Sequence, residues 1–113
     1  MRTDMPFKII TIAPDGKIVC ETHKKHPGWK EIQGYVDGMF QVCPYFTSME
    51  LDGKKYKRGI AYCNEEGKIK GMAFNPIASA LWLKSCPKGE PDRMLIAGPL
   101  LFVVKEGASA KAS

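Results

Sequence analysis

The stretch Tyr62–Leu81, YCNEEGKIKGMAFNPIASAL, holds two adjacent carboxylates, a glycine, a short apolar run and then Asn-Pro. It is either a site or the joint between a strand and a helix. Asn75-Pro76 favours the joint. An asparagine accepts from the free N–H groups at a helix start, and proline suits the first helical position, where a missing N–H costs nothing. Residues 75–86, NPIASALWLKSC, are therefore read as a helix, with Ile77, Ala80, Leu81 and Lys84 sharing one side. Upstream, Arg58–Cys63 reads as a central strand, Glu66-Gly67 as a turn, and Lys68–Phe74 as the partner strand.

Working outward, Phe7–Ala13 and Lys17–Glu21 read as a hairpin closed by Pro14-Asp15-Gly16. HPGWKEIQGYVDGMF reads as a short helix, with Pro27 in its first turn and Trp29, Ile32, Gln33 and Val36 near one face. Gly34 is a poor helix former in mid-run and implies close approach of another backbone. Asp37-Gly38 ends that helix, with Gly38 as the left-handed cap. MFQVCPYF is a strand that Pro44 assigns to an edge or a bulge. Asp52-Gly53 is a further turn. MLIAGPLLFVV is the closing strand, bent at Gly98-Pro99. Trp29 and Trp82 are both expected in the core.

The order β-β-α-β-β-β-β-α-β predicts an α+β fold: a curved, mainly antiparallel sheet of about six to seven strands with two helices packed on one face. A length of 113 residues suits one domain, read as residues 1–105, with 106–113 as a small, polar, disordered tail. No apolar run reaches membrane-span length, and the start lacks the long apolar region of a secretory signal. Seventeen lysines and arginines against twelve aspartates and glutamates give a net charge of +5, which mildly favours anionic partners. The four cysteines contain no C-x-x-C pair, so they read as reduced, strand-borne thiols rather than a zinc ribbon or a disulfide framework.

Three segments carry a resemblance: WKEIQGYVDGMFQV, then CNEEGKIKGMAFNPIASAL, then DRMLIAGPLLFVV. Over residues 7 to 104 the chain resembles the small phage- and plasmid-borne proteins named domain of unknown function 3846. The matching positions are Ile32, Gln33, Val36, Gly38, Asn64, Glu65, Glu66, Gly67, Lys68, Asn75, Asp92 and Gly98. Asp37 departs from the pattern, standing where the family has the first of two glycines. The resemblance implies a virus or mobile-element setting, and hence the host cytoplasm. It implies no activity.

The candidate chemistry is sparse. Glu65 and Glu66 would face opposite ways on a strand and converge only in a turn. Cys20, His23 and His26 have metal-ligand types but lack a fourth ligand nearby, so no metal site is expected. Cys63 has no base adjacent in sequence. Candidate ligand or partner contacts are Gln33, Gly34, Asn64, Glu65, Glu66, Lys68 and Asn75. Lys24, Lys25, Lys54, Lys55, Lys57 and Arg58, interleaved with Trp29 and Tyr56, form a candidate basic surface. With no phosphate loop, dinucleotide fingerprint or nucleophile elbow, the expectation is a non-catalytic protein without a cofactor that binds and modulates a host protein. The alternatives are a binder that sequesters an anionic nucleotide signal and a single-stranded nucleic-acid binding module.

Overall fold

Phe7–Ile12 forms β1 and Ile18–His23 forms β2, paired antiparallel through the expected turn. Gly16 supplies a positive φ of 95°, and the Asp15 carboxylate accepts from the Lys17 N–H at 2.9 Å. The computed structural model describes residues 6–86 and 95–105, so the expected tail and Asp92 lie outside the described residues. The remaining elements are α1 (Trp29–Val36), β3 (Phe40–Val42), β4 (Met49–Leu51), β5 (Lys54–Tyr56), β6 (Ile60–Asn64), α2 (Pro76–Ser85) and β7 (Leu100–Lys105).

The class is α+β, as expected, and the sheets are antiparallel and open. Five strands lie in the order β2-β1-β7-β6-β3, and β4-β5 form a separate two-stranded sheet. The hairpin β4-β5 turns on Asp52 (φ 51°) and Gly53 (φ 78°), a two-residue loop with both central residues left-handed.

The helices do not share a face, contrary to expectation. Ile32 and Val36 of α1 pack on Ile9, Tyr62, Leu101 and Val103. Ala78 and Trp82 of α2, together with Met49 and Tyr56 of the small hairpin, pack on Ile10, Ala61, Leu100, Phe102 and Val104 from the other side. The reason is visible in β7. Leu100 to Val104 are all buried, so the central strand needs an apolar layer on both of its sides.

Lys68–Phe74 is not a strand. Lys70 donates to the Glu66 carbonyl and Met72 to the Gly67 carbonyl, winding residues 66–72 into successive turns, and Phe74 keeps only a single bridge to Ala97. Gly67 permits this winding, because a Cβ there would collide with the Ala97 carbonyl oxygen. The partners of β6 are β3 and β7 instead. Arg58, at φ 62°, separates β5 from β6, so the expected central strand begins two residues late.

Both helices differ in detail from the pattern. In α2 the buried face is Ala78, Ser79 and Trp82, while Ile77 and Leu81 are half-buried and Ala80 is exposed. Ser79 belongs inside because its hydroxyl accepts from the Ile96 N–H at 2.8 Å. In α1, Pro27 lies before the Gly28 N-cap, and Trp29 is 60% exposed rather than in the core. The left-handed C-cap is Asp37 (φ 63°), with Gly38 following at φ 145°.

Gly34 meets no close neighbour. A Cβ added there finds open space. Its helical cost is therefore uncompensated, and Gly34→Ala is expected to raise stability by about 1 kcal/mol. A chemical-denaturation midpoint that stays put or falls would contradict this assignment.

Candidate functional site

The outer side of β2 is the longest open strand edge among the described residues. Ala13 N–H donates to the Lys17 carbonyl at 2.8 Å, which sets the phase of the β1–β2 ladder. Val19, Glu21 and His23 therefore turn their backbone groups toward β1, and Ile18, Cys20 and Thr22 turn theirs outward. Ile18 and Val19 are 40% and 39% exposed, so the edge also presents apolar side chains. One contact anchors β2 to α1. The Tyr35 hydroxyl donates to the Glu21 carboxylate at 2.9 Å. Burial, then that carboxylate, pushes the Tyr35 hydroxyl up to about 12. The bonds from Tyr35 and His23 hold the Glu21 carboxyl below its ordinary range.

The basic residues fall at one end of the five-stranded sheet. There β2 ends, β7 ends and β6 begins, which brings Lys24 and Lys25 to the same end as Lys57, Arg58 and Lys105. Three strand spacings separate β2 from β6, about 14 Å. Trp29, at the N-terminus of α1, is exposed with the Lys30 ammonium 5.6 Å from its ring centre. Lys54 and Lys55 sit in the small sheet instead. Lys54 lies over the Tyr56 ring, and Lys55 lines a cavity of about 160 Å³ between β4 and α2 with Lys84 and Glu50.

At the opposite end of β6 lies a cleft of about 320 Å³. It brings together three of the expected residues, Asn64, Glu65 and Lys68, and adds Gln41, Cys63 and Trp82. The two asparagines are committed to the fold. Asn64 is buried, donating to the Val36 and Asp37 carbonyls at 3.0 and 3.1 Å and accepting from the Glu66 N–H at 2.8 Å. Asn75 is fully buried, donating to the Ile12 and Gly98 carbonyls and accepting from the Ala78 N–H. Glu66 pairs with Lys70 at 3.2 Å. Gln33 donates to the Met39 sulfur, and Gly34 lies on the exposed side of α1, so neither reaches the cleft.

The thiols are arranged in a way that residue spacing did not indicate. Cys43, Cys63 and Cys86 are buried, and Cys20 is exposed on β2. Cys43 Sγ lies 3.3 Å from Cys63 Sγ, because Cys43 N–H bonds Ala61 while Gln41 pairs with Cys63, making the two cysteines diagonal neighbours on one face. Only the β3–β6 register creates this contact. Cys20 and His23 point to opposite faces of β2, and His26 packs edge-on against Phe7 and Tyr62. Among the described residues no three His, Cys, Asp or Glu side chains gather around a common point, and no helix is long and apolar enough to cross a membrane.

No protein-family model, no curated protein and no solved structure matches the chain.

Proposed function

We propose that this is a non-catalytic binding module of phage or mobile-element type, acting in the host cytoplasm on a host protein. Its partner contributes an extended, acidic segment that adds to the outer edge of β2. The observation that carries this proposal is the six-residue strand whose outward N–H and C=O groups, at Ile18, Cys20 and Thr22, meet no described strand. Strand addition draws its affinity from such main-chain groups, and flanking side chains give it selectivity. Lys17, Lys24 and Lys25 bracket the edge, and the chain carries +5 overall, so acidic segments are favoured. The phage setting is supported by the family resemblance alone.

Thr22→Pro tests the edge. It removes an outward N–H and leaves the bonds to β1 in place. A host protein retained on the immobilised wild-type chain is expected to be lost from the Thr22→Pro chain, with thermal unfolding little changed. Equal retention by the two chains would refute edge recognition.

A second reading, single-stranded nucleic-acid binding, is favoured by the placing of Lys24, Lys25, Lys57, Arg58 and Lys105 at one end of the sheet and by the exposure of Trp29. It requires affinity for an oligonucleotide to fall steeply with added salt, because phosphate contacts release counterions. Thr22→Pro would leave that affinity intact. The nucleotide-sequestering alternative has less support. Glu65 shares the cleft rim with Lys68, and the Asn64 amide is already bonded to the fold.

A further inference from the structure

The cleft beside β6 has a feature that partner binding leaves unused, a pair of touching thiols of which one, Cys63, lines it. We propose that Cys63 and Cys43 form a thiol–disulfide exchange site for small disulfides, Cys63 as the attacking sulfur and Cys43 as the resolving one.

Cys63 belongs to the cleft wall, whereas Cys43 lies behind it, deeper in the core at 2% exposure. The two sulfurs are unequal. Cys43 donates to Cys63 Sγ at 3.3 Å, and Gln41 Nε2 points at the same sulfur from 3.7 Å. Lys68 stands on the cleft rim. Two donors and a nearby cation favour negative charge on Cys63 over Cys43, and the thiolate is the attacking form. In agreement, the bond from Cys43, followed by Gln41 and the Lys68 charge, pulls the Cys63 thiol below its ordinary value. The same bond together with burial pushes Cys43 up.

The chemistry balances without a cofactor. The Cys63 thiolate attacks one sulfur of a small disulfide, its S–S bond breaks, and the departing thiolate takes a proton from water. Cys43 then gives up its proton to water and its sulfur attacks Cys63 Sγ, expelling the second thiolate, which is protonated in turn. One external disulfide is reduced to two thiols, and the protein dithiol is oxidised by the same two electrons. Closing the bond brings the sulfurs from 3.3 Å to about 2.05 Å. The strand that must shift, β3, is a three-residue strand with β6 as its one strand partner among the described residues, so it is the element best able to give way. The step is stoichiometric and does not depend on the partner-binding proposal.

The test uses the full chain carrying Cys20→Ser, which removes the exposed thiol, treated with hydroxyethyl disulfide while folded. Mass analysis is expected to find the chain lighter by two hydrogens, with a Cys43–Cys63 link in the peptide map. Adding Cys43→Ser is expected to trap a single hydroxyethylthio adduct on Cys63. Where that variant folds poorly, the rate in the Cys20→Ser chain decides. Cys63 should be consumed about tenfold faster than Cys86, which is buried in the same core without lining the cleft. Equal rates, modification at Cys86 first, or thiols that react only after denaturant is added would overturn the proposal.

Discussion

Replacing Asn75 with alanine is expected to destabilise the chain by about 3–5 kcal/mol. Its amide N–H₂ reaches the Ile12 carbonyl at 2.9 Å and the Gly98 carbonyl at 3.0 Å, and its oxygen caps α2 through the Ala78 N–H. Alanine loses a cap worth about 1 kcal/mol. It also leaves the Gly98 carbonyl short of a partner, at about 1–3 kcal/mol, and takes a bond worth about 1 kcal/mol from the Ile12 carbonyl, which also faces the β7 ladder. The three bonds tie the end of β1, the bend before β7 and the start of α2 to one side chain. A domain of this size has roughly 5–15 kcal/mol in all, so the variant should unfold well below the wild type in a thermal scan. A shift of only a degree or two would mean that water replaces the amide, and that Asn75 is available for other work.

Asn64 is expected to show the second-largest loss, about 3 kcal/mol for Asn64→Ala. It closes the C-terminal end of α1 by donating to the Val36 and Asp37 carbonyls, and it holds the following turn through the Glu66 N–H. Asn64→Asp separates this from a role in ligand binding. A carboxylate there faces two carbonyl oxygens at the negative end of a helix, so folding raises its pKa. A group with a raised folded pKa loses its contribution as pH rises. Asn64→Asp should therefore be further below the wild type at about pH 8 than at about pH 4. A pH-independent difference would contradict the assigned contacts.

These two asparagines also mark how far the sequence could be read. Asn75-Pro76 identified the start of α2 because capping is local chemistry, complete within four residues. The same holds for the β1–β2 turn and for Asp52-Gly53. What local chemistry could not supply was which elements meet. The Lys68–Phe74 segment alternates well enough for a strand. Its fate is decided by Gly67 seating against the Ala97 carbonyl, thirty residues away in sequence. The helices occupy opposite faces because β7 is central, and LLFVV carried that message: an unbroken apolar strand is covered on both sides. Trp29 misled because its spacing matched Ile32 and Val36, yet it sits at the first turn of α1, beyond the cover of the sheet.

The candidate site was legible in part for the same reason. Asn64, Glu65 and Lys68 are close in sequence and do share a cleft. Gln41, Trp82 and the Cys43–Cys63 contact reach it only through strand register and sheet order. The open edge of β2 was invisible before the order β2-β1-β7-β6-β3 was known, since nothing in IVCETH states whether a sixth strand lies beside it.

The most direct test of edge recognition is amide hydrogen exchange on the chain alone and with the host protein it retains. Strand addition predicts that the outward amides of Ile18, Cys20 and Thr22 slow by about tenfold or more on binding. Amides of Val19 and Glu21, already bonded to β1, should change far less. Protection confined to the basic end or to the cleft, with the β2 edge exchanging as before, would contradict the account.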